Sequence, residues 1–102
     1  ETAEKVLAYN VECVICMDDR ICCQVLEKFQ NMRVSIPKDI KMASFYDSYF
    51  LEHSEPSITS VKFDEVKLGI LACESLVSRI EKMECRSKIY EGYRIIPRTS
   101  TM

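Results

Sequence analysis

The sequence predicts an α/β fold built on a mostly parallel sheet. Three observations predict it. An apolar run over 13–17 is followed at once by an acidic cap and an amphipathic helix, and the apolar stretch 40–45 completes a βαβ unit. A second short apolar segment, 58–61, runs into the longest helical pattern of the chain, 65–83. The resulting order α-β-α-β-β-α-β is that of a sheet with helices on its faces.

Each element has its own signal. Residues 1–9 read as a helix with Val6 and Leu7 on the inner face, broken by Asn10. The run 13–17 has the uninterrupted apolar character of a strand buried on both faces. Asp18 and Asp19 stand at the N-cap, and Ile21, Val25, Leu26 and Phe29 recur at helical spacing as far as Met32. Pro37 belongs to a connection because it cannot join a central ladder. After the strand 40–45 the chain turns polar, with a helical turn expected at 49–52. Asp64 caps the long helix, whose stripe Val66, Ile70, Cys73, Val77 and Ile80 is widened by Leu68, Leu71 and Leu76, so two of its sides should be covered. Residues 88–96 read as the last strand, ended by Pro97.

With 102 residues there is room for one modest domain, which buries about two-thirds of its unfolded surface. A hydrophobic content of 47% excludes disorder, and a formal charge of −2 offers no basic footprint for nucleic acid. No apolar run reaches the length of a membrane span, and no signal peptide opens the chain. The amphipathic start suggests a piece of a longer protein.

Six cysteines raise the question of metal or redox chemistry. Cys13 and Cys16 form a CxxC, but on a strand residues three apart face opposite ways. Cys22 and Cys23 are adjacent on a helix, and His53 is the one histidine, in a polar loop. The thiols are therefore read as small core residues in a reducing compartment, with no metal and no cofactor. The sequence holds no nucleophile elbow, phosphate loop, HExxH or GxGxxG, and is read as a non-enzyme.

Read from the residues alone, this is a βαβ-type ligand-binding scaffold. An ordered set of short blocks takes the reading further. Val34-Ser35-Ile36-Pro37-Lys38-Asp39-Ile40 is close to a V-P-x-D-(I/V) approach to a strand, and Ser44-Phe45-Tyr46-Asp47 stands at a G-(F/Y)-D-D turn. Pro56 to Val61 is similar to P-x-L-T-T-V, Leu68-Gly69 to an L-G helix start, and Arg98-Thr99-Ser100-Thr101 to R-x-S-T. Together they resemble the effector-binding region of the LacI/GalR family of bacterial transcription regulators.

The resemblance implies part of a periplasmic-binding-protein-like (type I) fold, incomplete as an isolated fragment, with a small molecule bound between two lobes. Residues 1–61 would belong to the C-terminal lobe, and 62–102 would cross a hinge and supply a helix and strand to the N-terminal lobe. It further implies a homodimer in the bacterial cytoplasm, a carbohydrate-like effector, DNA contacted only through a head outside this chain, and no membrane partner. A solute-binding protein of transport or chemotaxis shares the fold and is the rival reading.

Four residues carry the ligand chemistry. Asp18 ends the first strand at the family's effector-contacting Asn position, and its bland alternative is helix capping. Tyr46 replaces the family's usual sugar-binding carboxylate with a phenol, giving one hydrogen bond and a flat apolar face. Asp47 either lines the cleft or caps the following turn, and turn chemistry is the expectation. Phe63 stands at a hinge position that is polar in some sugar-binding members, and its alternative is a hydrophobic staple ahead of Asp64. Tyr49 and Phe50 form a lid or pack the loop down.

Overall fold

The computed structural model describes residues 2–90 and 92–102, so Glu1 in the expected first helix and Glu91 in the expected last strand lie outside the described residues. Helix α1 spans Thr2–Ala8, strand β1 Cys13–Cys16, helix α2 Asp19–Asn31 and strand β2 Lys41–Ser44. A single turn, α3 (Tyr49–Glu52), precedes β3 (Thr59–Phe63), α4 (Glu65–Ile80), β4 (Tyr93–Ile96) and a final 3₁₀ turn, Thr99–Thr101. The strands lie in the order β1-β2-β3-β4. β1 and β2 are parallel with Cys16 opposite Ser44, and β2 and β3 are parallel with Ser44 opposite Ser60.

Two compact units divide the chain. The first comprises residues 1–62 and 95–102, the second 63–94. The partition expected from sequence had one passage, near residue 62. The chain instead returns to the first unit at Ile95, because the last segment finds its hydrogen-bond partners on β2 and β3.

The first unit holds the core: Cys22, Leu26 and Phe29 of α2, Met42 of β2, and Ile40, Leu51 and Ile58 around them. Apolar spacing on α2 turns these three side chains onto the sheet, and the Asp18 carboxylate accepts the Ile21 amide at 2.7 Å to start the helix. α2 ends where Arg33 takes a left-handed φ of 57°, so that Val34 N donates to Phe29 O and Arg33 N to Gln30 O. The same device at Lys82, with φ 56°, ends α4 three residues short of the expected Met83.

Two further expectations change. β1 is not buried on both faces: Cys13 and Ile15 are exposed and Cys16 is buried, because β1 is an edge strand covered on one side. The two thiols of the CxxC diverge accordingly. In the second unit, α4 has no buried residue. Val66, Ile70, Leu76, Val77 and Ile80 are exposed and only the Leu71, Ser75 and Ser78 side is half-buried, so the expected cover on two sides is not seen among the described residues. β4 begins at Tyr93 and not at Lys88, since residues 88–90 form no ladder.

Phe29→Ala should cost about 3–5 kcal/mol by emptying the middle of the first unit. Val66→Ala, on the exposed face of α4, should change stability by less than about 0.5 kcal/mol. Urea unfolding of the two variants checks the contrast.

Candidate functional site

Parallel pairing sets the candidate site at the carboxyl edge of β1 and β2. Cys16 and Ser44 close the ladder opposite one another, and Phe45 N donates to Cys16 O at 2.9 Å. Asp18 and Tyr46 each lie two residues beyond that rung, on adjacent loops at the edge where α/β sheets take their ligands. Asp18 is exposed and caps α2 through one oxygen, which leaves the other facing solvent. Tyr46 is 43% exposed, and its backbone amide donates to the buried Ser44 hydroxyl at 3.2 Å, which fixes the start of the loop.

Beside these loops an open cleft of about 320 Å³ is lined by Asp19, Arg20, Cys23, Gln24 and Phe50. Tyr49 and Phe50 do not pack the loop down: both are exposed, and they meet edge to face at 6.3 Å. His53 stacks on Tyr49 at 4.0 Å, with Nδ1 2.9 Å from the Tyr49 carbonyl oxygen. Phe63 opens the second unit, where its ring lies 6.5 Å from that of Tyr93. Tyr93 is thus the ring contact seen for Phe63. The structure therefore groups Asp18, Tyr46 and Asp47 on the first unit and places Phe63 on the second.

Asp47 is where geometry departs most from expectation. The cap of α3 is Ser48, whose Oγ accepts the Leu51 amide at 3.5 Å, so Asp47 is not the turn's cap. Its side chain is 7% exposed and faces Arg98, 12% exposed, with Nη1 2.7 Å from Oδ1. The same Nη1 lies 2.8 Å from Ile58 O and 2.7 Å from Ser60 Oγ. Two hydrogens thus serve three oxygens, and Ser60 Oγ passes its own proton toward Asp47 Oδ1. Lys62 Nζ, 3.7 Å from Oδ2 and 46% exposed, adds a weaker, screened attraction.

Burial pushes the Asp47 carboxyl up. The hydrogen bonds from Arg98 and Ser60, with the charges of Arg98 and Lys62, outweigh it and hold the group below the usual carboxylate range.

The rest of the 98–101 segment is bonded as closely. Ser100, fully buried, accepts the Thr59 amide at 2.9 Å and donates to Met42 O at 2.6 Å, so its hydroxyl bridges β2 and β3 just before their ladder begins. Thr59 Oγ1 accepts the Arg98 amide at 2.8 Å and lies 2.7 Å from Thr101 Oγ1. Among the described residues no buried side-chain nitrogen or oxygen lacks a partner. Sequence reasoning gave no role to Arg98, Ser100, Thr59 or Ser60. The only signal for them was their place in the P-x-L-T-T-V and R-x-S-T blocks.

Of the six cysteines only Cys16 and Cys22 are buried core groups. Cys23 and Cys85 are half-buried, and Cys13 and Cys73 are exposed. The expectation of core thiols fails for these because they lie on an edge strand, a half-covered helix face and the second unit. Cys22 is pushed well above the usual range by its hydrogen bond with Cys16 and then by burial, so it keeps its proton. Among the described residues no helix is long and apolar enough to cross a membrane.

Residues 3–101 match the periplasmic binding protein-like domain family. The chain is 33% identical over 75 residues to the transcriptional regulator MalR of Staphylococcus xylosus, covering 74% of this chain and 21% of that protein. It is 24% identical over 102 residues to the transcriptional repressor PurR of Vibrio cholerae, covering 98% and 30%. Over 68 residues it is 28% identical to the arabinose metabolism transcriptional repressor of Geobacillus stearothermophilus, covering 67% and 19%. Among solved structures, the transcription regulator CcpA of Lactococcus lactis superposes with a TM-score of 0.87 at 23% identity, over 98% of this chain and 37% of that one, and shows the same fold. The chain belongs to the periplasmic binding protein-like domain family. It spans between a fifth and a third of the curated relatives named here.

Asp47 contributes stability that is complete above its unfolded pKa of about 3.9 and is lost as pH falls through its lower folded value. Urea midpoints measured from pH 6 down to about 2.5 should therefore fall more steeply for the native chain than for Asp47→Asn. Parallel curves would show that the carboxylate is not held in its charged form.

Proposed function

We propose that this chain is the effector-sensing and dimerisation region of a LacI/GalR-type transcriptional repressor, working in the bacterial cytoplasm and without catalysis. Its small-molecule effector binds at the carboxyl edge of β1 and β2, against Asp18 and Tyr46. DNA is contacted through a separate domain, and effector binding changes DNA affinity by favouring one of two conformational states.

The register of Cys16 with Ser44 is the observation that carries this reading. It supports the reading by bringing the loops that carry the exposed Asp18 and the exposed Tyr46 to the same end of adjacent strands. That is the end where parallel sheets bind ligands. The chemistry differs from a site built for a simple hexose. A phenol supplies one hydrogen bond and a flat face, where a carboxylate would hold two hydroxyls. The pair suits a ligand with one polar edge and one flat or apolar face, such as a larger glycoside or a nucleoside. The adjoining cleft, with Phe50, Arg20 and Asp19, offers the same mixture of apolar and charged groups.

Thermal-shift screening of the chain against arabinose, maltose, nucleosides and phosphosugars should reveal a stabilising ligand. Tyr46→Ala should then weaken that ligand at least about tenfold, a loss of roughly 1.4 kcal/mol, and leave the ligand-free melting temperature nearly unchanged. No stabilising ligand, or full affinity in Tyr46→Ala, would contradict the assignment.

A further inference from the structure

We infer that Asp47 is a positioning residue that clamps the Tyr46 loop to both segments by which the chain leaves and re-enters the first unit. The chain leaves after Lys62 and returns at Ile95. On the outgoing side, Asp47 accepts a hydrogen bond from the Ser60 hydroxyl and attracts Lys62, the last residue before the passage. On the returning side it accepts from Arg98, three residues after the re-entry. One carboxylate, 7% exposed, thus holds three pieces of chain that are far apart in sequence.

The geometry gives the clamp two properties. Arg98 Nη1 binds Asp47, Ser60 and Ile58 O together, so the outgoing and returning segments are also tied to each other through the same guanidinium nitrogen. Asp47 is moreover the residue directly after Tyr46, whose amide is anchored on Ser44. A shift of the Tyr46 backbone cannot occur without displacing the carboxylate from donors in a nearly dry site, where an unsatisfied charge is costly. The two passages therefore respond together and not independently. The inference rests on the effector reading for its purpose, in that a ligand on Tyr46 would be felt at both passages, but the clamp itself exists without ligand.

Ser100 provides the comparison. It is fully buried and belongs to the same returning segment as Arg98, yet its bonds run to Thr59 and Met42 and not to the Tyr46 loop.

Hydrogen exchange followed by mass spectrometry on the full, ligand-free chain tests the inference. In Asp47→Asn, amides of 45–47, 60–63 and of 95, 96 and 98 should exchange about tenfold faster together, while 13–16 in β1 stays as in the native chain. Ser100→Ala should loosen 59 and 100–101 but leave 45–47 unchanged. Asp47→Glu keeps the charge and shifts the carboxylate by one methylene, so it should loosen the same three segments to a smaller degree, and it serves if the Asn variant does not fold. Loosening of 45–48 alone, or equal loosening throughout the first unit, would overturn the inference. No ligand enters this measurement, so its result is separate from that of the ligand screen.

Discussion

The Asp47–Arg98 ion pair is the interaction on which the first unit's carboxyl edge depends. A charged pair that is nearly dry on both sides is tolerated only when its geometry is close and its remaining lone pairs are used. Here those conditions are met by Ser60 and the Ile58 carbonyl, both supplied by the β3 segment. The requirement runs in the other direction too: the last residues must lie across β2 and β3 for Arg98 to arrive. Ser100 and Thr59 make that course specific, since each inserts a hydroxyl where backbone groups would otherwise be unpaired. Stability and specificity at this edge therefore come from polar groups, whereas Phe29, Met42 and Leu51 supply the non-directional apolar part.

Much of the fold was legible because it is local. Asp18 and Asp64 cap their helices through amides three residues on, and such contacts are decided by neighbours in sequence. The helical spacing of Ile21, Val25, Leu26 and Phe29 gave α2 for the same reason. The ordered blocks pointed to a periplasmic-binding-protein-like fold, and the match over residues 3–101 shows that family. What could not be read was long-range. Asp47 and Arg98 are 51 residues apart, and nothing local distinguishes a carboxylate bound for an arginine from one bound for a turn. The return of the chain at Ile95 escaped for the same cause. β1 was overestimated as buried because an apolar run cannot say whether its strand is central or at an edge.

Around the candidate residues, the neighbouring loops were legible in the sequence and the contacts of their side chains were not. The loops after β1 and β2 lie next to one another, since a βαβ unit makes its two strands parallel and brings their carboxyl ends together. That Tyr46 remains exposed while the next residue is withdrawn into an ion pair depends on the course of a distant segment. One loop thus offers an exposed tyrosine and, at the next residue, a largely buried carboxylate. Phe63 and the exposed α4 face belong to the second unit, and the chain covers only part of each relative's length.

A double-mutant cycle on Asp47→Asn and Arg98→Met, read by urea unfolding at neutral pH, measures the pair most directly. If the buried pair organises the edge as described, the two changes together should cost less than their sum by about 2 kcal/mol or more. Additive costs, within about 0.5 kcal/mol, would mean that the two side chains do not depend on each other.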